Sequence, residues 1–150
     1  MASPETSSGF TLLELLVVIA IIGVLAAVVL ASLGTSRNKG TDAGIVSNLH
    51  SIQVQAEFYY LKNSNTYGST IDTSCNTNVF SDPVIGKAIT NIQSINRGVS
   101  LVCNNTSAAY AVSSILINGS PTGQMYWCVD SASNAKYEAL PLAANQTKCT

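Results

Sequence analysis

The spacing of apolar positions changes twice along this chain, and each pattern predicts a different element. From Leu15 to Leu33, 19 consecutive positions carry no charge, and Ser32 is the one polar side chain among them. A helix of that length rises about 28 Å at 1.5 Å per residue, close to the hydrocarbon thickness of a bilayer. A rod apolar on every side belongs in a membrane or a protein core, and the remaining chain is too short to wrap it. Beyond the polar stretch Thr35–Asp42, residues Ile45, Leu49, Ile52, Ala56 and Tyr59 recur at spacings of three and four, which marks one helix face. One long helix is therefore predicted from Phe10 to about Lys62, apolar all round over 10–33 and amphipathic over 34–62. Asn63–Gly68, rich in turn formers, ends it.

Residues 63–107 read as a connecting region with one short helix near 83–96. Asp82 suits an N-cap and Pro83 a first-turn position; Val84, Ile85, Ala88, Ile89, Ile92 and Ile95 form the apolar face, and Gly98 follows its end. After Cys103 the pattern shifts to β-branched and aromatic runs. Ala108–Ile117, Gln124–Asp130 and Ala135–Leu140 are predicted strands, separated by the turn-rich segments Asn118–Gly123 and Ser131–Asn134. The fold class that follows is α+β: a long N-terminal helix whose second half packs on a three- to four-stranded antiparallel sheet, with the sheet and a disulfide-closed C-terminal segment occupying 108–150.

Charge alters this picture little. About 10% of residues are charged and the formal net charge is −1, so no basic surface of the kind that binds nucleic acid is present in the composition, and no specific nucleic-acid site is expected. Cys75, Cys103, Cys128 and Cys149 all lie in the second half, without a Cys-x-x-Cys pair or a nearby histidine, which argues against zinc and thioredoxin-type chemistry. An even count downstream of a membrane segment points to disulfides in an oxidising, extracytoplasmic compartment. Of three connectivities, Cys75–Cys103 and Cys128–Cys149 are favoured, because each closes a modest loop within its own part of the domain.

Catalytic and ligand-binding patterns are weak. His50, the one histidine, has no neighbouring nucleophile or carboxylate cluster. Phosphate loops, nucleophile elbows and metalloprotease motifs are missing from the sequence. Asp72, Asp82 and Asp130 do not have calcium-loop spacing, so neither metal nor cofactor is expected. Trp127, Tyr126 and Phe80 read as core or subunit-contact aromatics. Sequons begin at Asn104, Asn105 and Asn145, in a chain where Asn, Ser and Thr are so frequent that chance matches are expected.

The residues entering the apolar run are more specific. Glu14 places a carboxylate in the apolar portion of the helix, at a cost of about 2.5–3.5 kcal/mol at a bilayer centre and less near its interface. A plain anchor leaves it unexplained. A secretory signal peptide has a basic n-region and a shorter apolar core. Gly9-Phe10-Thr11-Leu12-Leu13-Glu14, followed by the unbroken apolar run, resembles the class III signal sequence of type IV pilins and pseudopilins over about 20 contiguous residues.

That resemblance implies a pilin-like fold and a set of roles. Residues 1–9 become a leader cut between Gly9 and Phe10 by prepilin peptidase, which also N-methylates Phe10. The new amine at Phe10 gives Glu14 a partner: in a helical stack, Glu14 of one subunit neutralises the amine of a neighbour and sets axial register, since an unpaired charge in an apolar setting is costly. The implied protein is not an enzyme but a homo-oligomeric filament subunit, single-pass in the inner membrane before assembly and part of an extracellular pilus afterwards, with an inner-membrane platform and an assembly ATPase as partners. A pseudopilin of a type II secretion system is the nearest alternative; a non-polymerising membrane-anchored binding module is one of another class. Two departures stand out. The leader holds Glu5 and no basic residue, whereas Arg37 and Lys39 follow the span, a distribution that by the positive-inside rule favours the opposite orientation. Ala31 stands where many pilins carry a kinking proline.

Overall fold

A computed structural model of the chain describes residues 9–96, 98, 101–119, 123 and 125–150. The predicted leader thus lies outside the described residues except for Gly9. Helix α1 runs Leu12–Lys62, and the chain divides into two compact units at Ser36 and Arg37. In the first unit the α1 side chains are exposed around the whole helix, as an unbroken apolar run without a polar face dictates.

The second unit has its own core. Ile45, Leu49, Ile52 and Ala56 of α1 are buried with Ile85, Ile89 and Ile92 of α2 (Pro83–Ile95) and with Tyr110, Val112 and Val129 of the sheet. Full burial of each large aliphatic residue contributes about 1.5–3 kcal/mol, which makes this periodic face, rather than helix propensity, what fixes the second half of α1. Helix α2 begins where the Asp82 carboxylate accepts the N–H groups of Val84 and Ile85 at 2.9 and 3.2 Å, with Pro83 in the first turn. It ends with Gly98 at φ +82°, donating its N–H to the Gln93 carbonyl at 2.7 Å, a six-residue closure that needs the left-handed region.

Four strands form an antiparallel meander in the order β1 (Val102–Asn105), β2 (Tyr110–Ile115), β3 (Tyr126–Asp130) and β4 (Ala135–Glu138). The strand β1 falls inside the segment predicted as connecting region. Asn104-Asn105 reads as loop because asparagine is depleted from strands, yet here both side chains are buried and satisfied. Asn104 donates to the carbonyls of Ala143 and Gln146 at 2.8 and 2.9 Å; Asn105 exchanges backbone hydrogen bonds with Asp72 at 2.9 and 3.0 Å. Sheet-to-helix hydrogen bonds reinforce the core. Asp42 accepts the N–H groups of Ile117 and Asn118 at 2.7 and 2.9 Å, and Gln53 donates to the carbonyls of Asp130 and Asn134 at 3.1 Å each.

The opposite sheet face is covered by the C-terminal segment. Leu142 and Cys149 bury Ala111 and Cys128, and the Asp130 carboxylate accepts the Cys149 N–H at 2.8 Å. Disulfides join Cys75 to Cys103 and Cys128 to Cys149, closing separations of 28 and 21 residues. The first ties the loop ahead of α2 to β1. The second ties β3 to the C-terminal segment.

Candidate functional site

The residues singled out at the N-terminus are brought together by the first turn of α1. Gly9 and Phe10 precede the helix, and Phe10 is exposed. The Thr11 hydroxyl oxygen accepts the Glu14 N–H at 3.2 Å, while a Glu14 carboxylate oxygen accepts both the Thr11 N–H and the Thr11 hydroxyl at 2.9 Å. This is a capping box: each side chain satisfies a backbone N–H that has no intrahelical partner. It aims the carboxylate back toward Phe10. Sequence reasoning assigned Glu14 only to a partner's amine and passed over the Thr-x-x-Glu spacing, which was the readable signal for this second role.

Beyond that turn the surface is hydrocarbon. Leu15, Leu16, Val17, Val18, Ile19, Ile21, Ile22, Val24, Leu25 and Leu30 are all exposed, and among the described residues α1 is the one helix long and apolar enough to cross a bilayer. Arranged this way, the site can bind a membrane or other apolar helices.

The remaining candidates are accounted for within the second unit. Asp130 accepts the N–H groups of Ala132 and Asn134 at 2.9 and 3.0 Å and the Asn134 side-chain amide at 2.8 Å, besides Cys149, so protein donors occupy its carboxylate. Glu138 lies beside the Cys128–Cys149 sulfurs but accepts the backbone N–H and hydroxyl of Thr150. With both sulfurs bonded to each other, this trio is a clamp on the C-terminal segment rather than a ligand set. Asp72 accepts the Ser74 N–H at 2.6 Å and the Thr77 hydroxyl at 2.7 Å, and these hydrogen bonds hold its carboxyl below the ordinary range. His50 is exposed, with its ring edge-on to Trp127 at 5.9 Å. Phe80 is buried, in contact with Tyr110 at 6.3 Å between ring centroids. Of the sequon asparagines, Asn104 and Asn105 are fully buried, whereas Asn145 is exposed.

A family model falls on the same N-terminal stretch. Residues 6–30 match the prokaryotic N-terminal methylation motif. The chain is 41% identical over 65 residues to the type IV wide pilus major component PilA4 of Thermus thermophilus, covering 43% of this chain and 49% of that protein. It is 43% identical over 56 residues to the type II secretion system core protein G of Dickeya chrysanthemi, covering 37% of each chain. The core protein G of Klebsiella pneumoniae is 43% identical over 60 residues, covering 40% of this chain and 43% of that one.

The chain carries the N-terminal methylation motif and is similar over part of its length to a type IV pilin and to type II secretion core proteins G.

In this pilin-like chain, the motif match spans the capping box and most of the apolar run, the two features that set the first unit apart. The matched stretches cover about half, or less, of the length of the curated relatives. No solved structure gives a significant match.

Proposed function

We propose that this protein is a structural, non-catalytic subunit of a type IV pilus. The single observation that carries the reading is an exposed, charge-free apolar helix entered through Gly9-Phe10-Thr11-Leu12-Leu13-Glu14. Prepilin peptidase removes residues 1–9 and methylates Phe10. The apolar helix holds the subunit in the inner membrane, oriented with the second unit outside the cytoplasm, until it exchanges lipid for neighbouring helices. Packing within the filament comes from dense aliphatic contact, with Ala26, Ala27 and Ala31 allowing close approach. An inner-membrane platform and an assembly ATPase supply the extraction work.

Glu14 acts twice in this scheme. In the free subunit its carboxylate is held by Thr11; in the filament it neutralises the amine of Phe10 on a neighbour and fixes the offset between subunits. The low dielectric makes a paired charge tolerable and a lone one expensive. Glu14→Ala is expected to give processed subunits that remain in the membrane, with filament yield reduced about tenfold or more, as removal of one partner from a buried charge pair predicts. Full filament yield from that variant contradicts the assignment.

A second reading has its own support. The similarity to core protein G favours a pseudopilin of a type II secretion system, which uses the same helix in a short periplasmic assembly. Electron microscopy of sheared surface material separates the two. Long filaments that bind antibody to this chain are expected of a pilin; their absence, with processed protein confined to the cell envelope, supports the pseudopilin.

A further inference from the structure

Within the second unit, α1 carries one face that nothing among the described residues covers. Gly40, Ala43, Ser47, Ser51, Val54, Phe58 and Leu61 follow one another at spacings of three and four, all are exposed, and none is charged. The face is graded. Its first half is small side chains, and its second half is large and apolar, with Val54, Phe58 and Leu61 exposed to 60, 61 and 71%. Val84 at the start of α2, also exposed, lines the same surface as Val54 and widens the apolar end.

The small end opens into a concavity. Ala43 and Val46 of α1, Leu116 after β2, Trp127 of β3 and Tyr137 of β4 line a mainly apolar groove of about 570 Å³. Lys39 stands at its rim, and Asp42, which also borders it, is occupied by the Ile117 and Asn118 N–H groups. The same molecule therefore presents apolar knobs at one level of the helix and an apolar recess at another. The two are 15 residues apart, about 22 Å along the helix axis.

Hydrocarbon is the wrong occupant for the knobs. Arg37 and Lys39 are the first charges after the apolar run, and they keep to water or headgroups. Phe58 lies 19 residues beyond Lys39, about 28 Å further along the helix, out of reach of the bilayer interior. Two different apolar patches on one molecule, one projecting and one recessed, are what a head-to-tail contact between copies requires, and repeated it generates an open helical assembly.

We propose that Val54, Phe58 and Leu61 of one copy seat in the groove beside Ala43, Trp127 and Tyr137 of a second copy, displaced by about 22 Å along the helix direction. This inference rests on the filament reading and assigns the filament a second contact, between the folded units, independent of the apolar N-terminal helices. It makes the wall of the filament specific for this chain's own groove.

The test uses the full chain in its host, with the photoreactive residue p-benzoylphenylalanine in place of Phe58. Irradiated sheared filaments are expected to yield copy-to-copy adducts whose linked peptide contains Ala43, Trp127 or Tyr137. A parallel pair of variants, Ala43→Trp to fill the groove and Phe58→Glu to charge the knob, is expected to lower filament yield about tenfold each, as loss of a central contact residue does. Processing at Gly9 and both disulfides remain intact in each, measured by intact mass. Filaments that form in wild-type amounts from both variants, or adducts confined to other surfaces or to lipid, overturn the inference and leave the filament reading standing. If the unsubstituted protein forms no polymer and residue 58 gives no copy-to-copy adduct, both fail together.

Discussion

The two units of this chain use apolar residues in opposite ways. Residues 9–36 hold a long run of aliphatic side chains and bury none of them, whereas residues 37–150 bury theirs behind a helix face, a four-stranded sheet and two disulfides. The first unit is therefore incomplete without a surrounding medium, whereas the second has a buried core of its own. Composition and periodicity both separate them: the first unit is aliphatic at almost every position of its run, whereas the second spaces its apolar residues along one helix face and alternating strand positions. A helix with one apolar stripe folds onto its own chain. A helix apolar all round waits for lipid or for other helices.

Loosening the second unit gives the largest expected effect. Cys128→Ser with Cys149→Ser frees the C-terminal segment from β3 and is expected to cost about 2–5 kcal/mol in unfolding, read by calorimetry, with membrane association of the first unit unchanged. Breaking the other side of the comparison comes next. Val24→Arg places a cation in the middle of the apolar run and is expected to oppose insertion by about 2.5–3.5 kcal/mol, read by carbonate extraction of membranes, with the disulfides still formed. Either variant affecting both units equally removes the distinction.

Smaller changes sharpen it inside the folded unit. A Cβ at Gly68 meets Asn78 Cβ and Cγ at 2.5 Å and the Asn105 side-chain nitrogen at 2.8 Å. Gly68→Ala is thus expected to destabilise by about 1–3 kcal/mol, measured by urea unfolding. Burial raises the pKa of the Tyr67 phenol, which also donates to Glu57 at 2.8 Å, and of the Tyr110 phenol, well above the ordinary value of 10. A raised folded-state pKa contributes stability that is full below pH 10 and falls as pH rises beyond it. Absorbance at 295 nm is expected to show these two phenolates only once the unit unfolds, and Tyr67→Phe to remove one of them from that late phase. Ionisation of every tyrosine ahead of unfolding contradicts this burial.

Much of this was readable in the sequence. The apolar run, the Ile45–Leu49–Ile52–Ala56 stripe and the Asp82-Pro83 start each express a local rule, so the spacing of residues was enough for α1 and α2. The Cys128–Cys149 closure of the C-terminal segment was also readable, but the β1 strand was not, because it depends on partners distant in sequence. Asn104 is a polar loop former until Ala143 and Gln146 supply its acceptors, and only then does its burial cost disappear. The capping box at Thr11 was local and legible, but the cost of a carboxylate in an apolar setting drew the interpretation of Glu14 wholly toward an external partner. At the groove, Ala43 and Tyr137 meet only through the fold, and no spacing announces them.

Intact mass and N-terminal fragmentation of the subunit in purified, native filaments tests the central claim most directly. The expected species begins at an N-methylated Phe10, lacks residues 1–9 and retains both disulfides. Polymers built from subunits that still carry Met1–Gly9 would contradict it, since no free amine would then exist beside Glu14 to fix the packing of the helices.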